Sequence, residues 1–245
     1  LAFGKGVQVC ETLEGALRAV EELFPVSREL LIEERLQGEE VSWIAICDGE
    51  RAVLMDPARD YKRLLDGQEG PNTGGMGAFS PVESCSDDAT VQKIRDEVFL
   101  PTLAEMKKRG CSFKGFLYAG LMVSPDAGQY SVLEFNARLG DPEAQVLLPR
   151  LDDDLYVWLL SAAQGDMSTE LGRLRTKVRL PFSKESALIT IASASGYPKS
   201  PKKGDKISST VNFEGSVEPD YFFAGVKRSG DDIVTSGGRV FGAVG

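Results

Sequence analysis

Two pairs of apolar runs, each joined by a tight turn, constrain this chain more than any other feature. Residues 41–47 and 51–55 flank Asp48-Gly49, a dipeptide that closes antiparallel hairpins. Residues 115–123 and 129–136 form a second pair across residues 124–128. With helical periodicity between and after them, the hairpins predict a mixed chain, α+β with α/β character. The last strand of the second pair also carries chemistry. Val132, Leu133 and Phe135 are strand formers, while Glu134 and Asn136 stand two apart, so both polar side chains leave one face. A carboxylate and an amide oxygen placed this way can hold a hard cation, Mg²⁺ or Mn²⁺, that completes its shell with water and phosphate oxygens. Two polar residues facing solvent from an edge strand would look the same.

The remaining segments read in order. Residues 1–6 (LAFGKG) place Lys5 between two glycines ahead of a short strand at 7–10. Such a loop can fold over a phosphate, with backbone N–H groups close to the anion and Lys5 as a point charge; taken alone, the residues favour an ordinary glycine turn. The spacing matches neither a P-loop nor a dinucleotide fingerprint. Thr12 is placed to cap a helix whose Leu13, Ala16, Leu17, Val20, Leu23 and Phe24 share one face and predict packing on a sheet. Residues 30–32 read as a short buried strand leading into Glu33-Glu34-Arg35-Leu36 and then Gly38-Glu39-Glu40. That exit is either solvated or a hinge whose backbone meets a purine edge while a carboxylate meets ribose hydroxyls.

Residues 56–81 form a long stretch with little periodicity, a length that marks functional or disordered loops. Tyr61, Leu64, Leu65, Met76 and Phe79 supply anchors, and Gly70, Gly74, Gly75 and Gly77 allow tight backbone around a ligand. Lys62 and Arg63 add a cationic pair. A helix is predicted from Asp87 or Asp88 to about Arg109, kinked at Pro101, with Val91, Ile94, Val98, Leu103 and Met106 inward. A second covers 152–164, with Tyr156 and Trp158 in the core. Residues 171–185 read as a basic linker, followed by short strands at 187–194, near Ile207, at 222–226 and at 239–244.

The formal charge of −9, from 28 basic and 37 acidic residues, argues against a nucleic-acid or anionic-membrane surface. Apolar runs fall far short of the roughly 18 residues of a membrane span. Four cysteines without a Cys-x-x-Cys pair predict reduced thiols, and the absence of histidine excludes histidine bases and histidine metal sites from this chain. No targeting signal precedes Leu1, and a strand ends the chain, so a fragment truncated at both ends is expected.

Four features occur in one order: the Gly-Lys-Gly loop, the Glu-Glu exit followed by Gly-Glu-Glu, GPNTGGMGAFSP at 70–81 and EFNARLGDPEAQ at 134–145. With GFLYAGLM at 115–122 and GGRV at 237–240, the chain resembles the phosphoribosylamine–glycine ligases, members of the ATP-grasp superfamily, over essentially its whole length. The resemblance implies an ATP-grasp fold, two α+β subdomains clasping ATP followed by a small, mostly β C-terminal subdomain. It divides the chain into 1–180 (lid about 1–35, body about 36–180) and 181–245. It implies a ligase that activates glycine as glycyl phosphate and joins it to 5-phosphoribosylamine. Glu134 and Asn136 would bind Mg²⁺ or Mn²⁺; Glu33, Glu34, Arg35 and Leu36 would form the adenine hinge and Glu40 would meet the ribose. Lys5 would cover the phosphates, with Asn72, Gly74, Gly75 and Gly77 lining the site. Lys62, Arg63, Arg138 and Asp141 would contact substrate.

Tyr61 stands where the family usually has histidine and Phe3 where it usually has alanine, which alters charge near the phosphates and loop closure. The family also carries an N-terminal domain and a first strand that precede this chain. A non-catalytic or complementation-dependent nucleotide-binding fragment is therefore the alternative. A monomer, a possible fusion to other segments, and a cytoplasmic location with a plastid left open complete the expectations.

Overall fold

The computed structural model describes residues 7–124, 128–208 and 219–245. In chain order it contains α1 (Leu13–Leu23), β1 (Glu39–Cys47), β2 (Ala52–Leu54), β3 (Arg59–Asp60), β4 (Arg63–Leu65), β5 (Glu69–Asn72) and β6 (Gly77–Ser80). Then follow α2 (Asp88–Ile94), a π segment (Arg95–Phe99), α3 (Leu100–Lys108), β7 (Gly115–Val123), β8 (Tyr130–Asn136), α4 (Ala144–Leu147), α5 (Leu155–Gln164) and α6 (Ser168–Arg173). The chain closes with β9 (Ala187–Ser193), β10 (Asp220–Phe223), β11 (Val226–Ser229), β12 (Asp232–Thr235) and β13 (Arg239–Val244).

Both expected hairpins form, and they join into one antiparallel sheet of order β2-β1-β7-β8. Strand alternation explains the near-continuous apolar run of β1. Val41, Trp43, Ala45 and Cys47 face a core built with Leu117, Ala119, Leu121 and the helical residues Val91, Ile94, Val98, Phe99 and Leu103. Ile44 and Ile46 face a second core with Tyr118, Val146, Leu147, Trp158, Ala162, Ile189 and Val244. A sheet covered on both faces needs apolar residues at both parities. Burial also pushes the Cys47 thiol up to about 12, with Asp48 adding to it, and the Cys85 thiol up to about 11, so neither is a ready nucleophile.

Several expectations are corrected. Residues 56–81 are not a loop. β4 and β5 make a two-stranded ribbon, and β3 and β6 enter a five-stranded antiparallel sheet of order β10-β13-β9-β6-β3. Glycines and prolines hid these strands because two to four residues are too few for periodicity to register. The predicted helix is interrupted next to Pro101, where the π segment Arg95–Phe99 ends and α3 begins with the proline in its first turn. The predicted linker is partly helical at α6, and its following residues strap β2, with Leu54 N–H donating to Val178 O and Leu180 N–H to Leu54 O, both 2.9 Å. Tyr156 is exposed although Trp158 is fully buried.

The N-terminal arm departs furthest. Thr12 caps α1, its Oγ1 accepting from Gly15 N–H at 3.1 Å, yet Leu13, Leu17 and Phe24 are exposed and no sheet covers them among the described residues. Residues 30–32 form no strand, and Leu31 and Ile32 are more than four-fifths exposed. Capping and helical periodicity are local and suffice for α1. A strand needs a neighbour to pair with, and none lies beside residues 30–32 among the described residues.

Candidate active site

One face of the four-stranded sheet changes character along its length. On β1, Ile44 and Ile46 point into core, but Ser42 and Glu40, on the same side nearer the strand start, are polar. On β7, Gly120 stands opposite Ser42 and Tyr118 opposite Ile44, and β8 adds Asn136 and Glu134 through the register Tyr118↔Asn136 and Gly120↔Glu134. Asn136 Nδ2 donates to Glu134 Oε1 at 3.2 Å, so the two side chains share a face as the spacing demands. Gly120 leaves room between strands: a Cβ there would lie 3.4 Å from Glu134 Cγ and 3.8 Å from Glu40 Oε1.

Behind this face the polar groups continue inward. Ser42 Oγ bonds the Tyr118 hydroxyl and Glu143 Oε1, each at 2.8 Å, and Glu143 is 3% exposed. Lys62 donates to Glu40, and its Nζ is 4.0 Å from Asp60 Oδ2. Asp60 is 5% exposed at its side chain, and its Oδ1 has no hydrogen-bond partner. Burial pushes Asp60 up to about 7; Lys62 opposes the rise, while Glu143 and Glu40 add to it. Burial by itself would lower Lys62, but Asp60 and Glu40 outweigh it and hold the ammonium above its ordinary range. Burial, then Glu143 and Asp60, raise Tyr118 as well, so it stays a phenol. One lysine thus faces three carboxylates, those of Asp60, Glu40 and Glu134, with Glu143 acting on Asp60 behind them, an arrangement that favours added positive charge.

Two backbone segments close on this face. In the loop between β5 and β6, Thr73 N–H and Oγ1 both donate to Lys62 O at 2.7 Å, which fixes the loop to the lysine's own backbone. Gly75 adopts φ +108°, and a Cβ on it would come within 2.5 Å of Pro142 Cδ. Only glycine permits that approach. The facing turn, 140–143, is equally tight, since a Cβ on Gly140 would collide with the Glu143 carboxylate. Arg239, at the start of β13, bonds both segments: Nη1 donates to Gly74 O at 2.8 Å and Asp141 O at 2.9 Å, and Nη2 to Asp141 Oδ2 at 2.6 Å.

The structure gathers Glu40, Lys62, Glu134, Asn136 and Arg138 through direct or shared contacts, with Arg138 Nη2 donating to Asn136 Oδ1 at 3.5 Å. Gly74, Gly75 and Asp141 meet through Arg239. Asn72 and Arg63 pair across the β4–β5 ribbon, where Arg63 Nη1 donates to Gly70 O at 2.6 Å. Gly77 starts β6 against Ile189 O. Glu33, Glu34, Arg35 and Leu36 lie in an irregular segment leading into β1; Arg35 pairs with Glu11 at 3.0 Å. Lys5 lies outside the described residues. Sequence reasoning missed Ser42, Asp60, Tyr118, Tyr197 and Arg239. Ser42 and Asp60 were within reach, each two residues from a residue already singled out, Glu40 and Lys62. Arg239 lies in the GGRV motif at 237–240, but its partners are 98 and 165 positions away and no local signal names them.

The family model described as phosphoribosylglycinamide synthetase, ATP-grasp (A) domain, matches residues 1–144, and that family's C-domain model matches residues 187–245. The phosphoribosylamine–glycine ligase of Rhodopirellula baltica is 42% identical over 99% of this chain and 54% of its own length. The chloroplastic phosphoribosylamine–glycine ligase of Arabidopsis thaliana is 39% identical over 99% of this chain and 45% of its own. The crystal structure of phosphoribosylamine–glycine ligase from Thermotoga maritima superposes with a TM-score of 0.80 at 35% identity, covering all of this chain and 59% of that one. The chain therefore spans about half the length of these relatives.

Proposed function

The chain belongs to the phosphoribosylglycinamide synthetase family and has its ATP-grasp fold, and from that premise we propose that it forms the ATP-binding body of a ligase joining glycine to 5-phosphoribosylamine through glycyl phosphate. The observation that carries this reading is the shared face of Glu134, Asn136 and Glu40 beside the 72–77 loop. Glu134 and Asn136 present one carboxylate and one amide oxygen side by side, with no third acidic, histidine or cysteine ligand among the described residues. That donor set fits Mg²⁺ or Mn²⁺, which leave most of their shell to water and phosphate oxygens. Bound there, the ion supplies charge neutralisation for the transferring phosphoryl group.

The chain's own residues do the rest. Glu33 to Leu36 offer backbone groups to adenine, and Glu40 a carboxylate to the ribose. Lys62 stands next to the phosphoryl path, its charge held by Asp60 and Glu40. Asn72, Gly74, Gly75 and Gly77 line the phosphate side, and Lys5, outside the described residues, is assigned to the same side by the family resemblance alone. Arg63, Arg138 and the Asp141 turn face the second substrate, and the glycine-tight contact of Gly75 with Pro142 keeps water out between the two segments. No residue need act as a general base, because phosphoryl transfer is driven by positioning and electrostatics. The proposal divides the chain into a nucleotide-binding part, 1–180, and a C-terminal part, 181–245. A cytoplasmic or plastid location accompanies it, in keeping with the chloroplastic relative.

Calorimetric titration with Mg·ATP, followed by phosphate release with ATP, Mg²⁺, glycine and fresh 5-phosphoribosylamine, tests the reading. Saturable Mg·ATP binding that Glu134→Ala abolishes is expected. Binding without phosphate release would mark a nucleotide-binding piece that requires a complementary segment. No Mg·ATP binding, or binding unchanged in Glu134→Ala, would overturn the site assignment.

A further inference from the structure

We propose that Arg239 is a positioning residue for the acceptor end of this site, a latch through which strand β13 sets the geometry of the 72–77 loop against the 140–143 turn. The assignment rests on the ligase reading. Its guanidinium takes three acceptors on two separate segments, Gly74 O, Asp141 O and Asp141 Oδ2, at 2.8, 2.9 and 2.6 Å. The planar fork suits this: two nitrogens grip Asp141 at backbone and carboxylate while one of them also reaches across to Gly74. Tyr197 completes the latch from the same subdomain. Its hydroxyl accepts from Gly74 N–H at 2.9 Å, and its ring packs so closely on Gly238 that no Cβ could stand there. Gly74 is thus held at its N–H by Tyr197 and at its carbonyl by Arg239.

The Asp141 carboxylate is fully engaged. Oδ2 accepts from Arg239 and Oδ1 from Gln145 Nε2 at 2.9 Å. Asp141 therefore acts through the turn it anchors rather than as a free carboxylate for substrate. The latch also walls a cavity of about 170 Å³, lined by Asp141, Gln145, Arg239, Phe222, Phe223 and Phe241. The nucleotide-end groups Glu40, Glu134 and Asn136 lie on the other sheet and share no hydrogen bond with Arg239. Losing Arg239 should loosen the acceptor end and spare the nucleotide end.

The test compares wild type, Arg239→Ala, Arg239→Lys and the milder Tyr197→Phe, all in the full chain, by Mg·ATP titration and by hydrogen exchange with mass spectrometry. In Arg239→Ala, amide exchange at residues 74–76 and 141–146 should rise at least tenfold while Mg·ATP affinity changes less than twofold. Arg239→Lys should restore part of the protection, and Tyr197→Phe should raise exchange at Gly74 alone. In preparations that turn over, KM for 5-phosphoribosylamine should rise about tenfold with a smaller change for ATP. Unchanged exchange in both segments, or loss of Mg·ATP affinity in step with acceptor KM, would overturn the latch. Wild-type chain that binds no Mg·ATP would defeat the ligase reading, and the exchange data would still decide whether Arg239 holds the two segments. Should Arg239→Ala fail to fold, the lysine and Tyr197→Phe variants decide.

Discussion

Two buried clusters of charged side chains, around Arg150 and around Lys62, are built in opposite ways. Around Arg150 every group is matched. Its Nε donates to Glu185 O, Nη1 to Ser80 Oγ, and Nη2 to Asp56 Oδ2 and Ser183 O, all between 2.6 and 2.9 Å, while Phe182 lies against the guanidinium. Asp56 takes a second arginine, Arg179, at 3.4 Å. Around Lys62, carboxylates outnumber cations and Asp60 Oδ1 has no partner. A matched cluster holds segments together. A mismatched one stores a preference for a positive ligand, at a cost in stability.

Arg150→Ala should break the first cluster and have the largest effect, a loss of about 3–5 kcal/mol, because it strands Asp56 beside Arg179 alone. Urea unfolding measures this, and a loss below about 1 kcal/mol would erase the contrast between the clusters. Asp60→Asn should act in the opposite sense. A carboxyl raised to about 7 contributes stability that is complete below its unfolded value near 4 and is lost as pH rises through about 7. The wild-type chain should therefore lose stability between about pH 4 and pH 7, and Asp60→Asn should lose less, by on the order of 1–3 kcal/mol, with Lys62, Glu40 and Glu143 setting the residual slope. Parallel profiles for the two proteins would place Asp60 with the matched groups.

Smaller effects sharpen the comparison. Gly75→Ala should cost roughly 1–3 kcal/mol, since it forces φ +108° on alanine and drives a Cβ toward Pro142. Differential scanning calorimetry would show it, and a neutral result would mean that the two segments can separate freely. Glu134→Ala should change stability least, within about 0.5 kcal/mol, because the side chain is exposed. The thermal stabilisation that Mg·ATP gives should nevertheless disappear with it. A residue whose removal abolishes ligand stabilisation without weakening the fold belongs to function; Arg150 belongs to structure.

Much of the site was legible because its information is local. The two-residue spacing of Glu134 and Asn136 fixes their shared face in any strand, and the hairpin turns fix the register that sets Gly120 and Tyr118 opposite them. The glycines at 74 and 75 announced a close approach without saying to what. The same reasoning erred where partners decide the outcome. Leu31 and Ile32 look like core, but no neighbouring strand covers them among the described residues, and β3 and β6 within 56–81 find their sheet only because β9 lies beside β6. Asp60 reads as one more loop carboxylate until its burial is known.

By itself the sequence determined the hairpins, the capped helices, the parity of the metal-type pair, and a family resemblance carried by GPNTGGMG and RLGDPEAQ. Those depend on turn chemistry, capping and strand alternation, all set within a few residues. The tertiary structure alone decided that Lys62 stands among three carboxylates, that Asp60 keeps an oxygen without a partner, and that Arg239 reaches Gly74 and Asp141. Hydrogen bonds across 98 and 165 residues depend on how two sheets pack, and side-chain packing of that range leaves no period, spacing or turn signal in the chain.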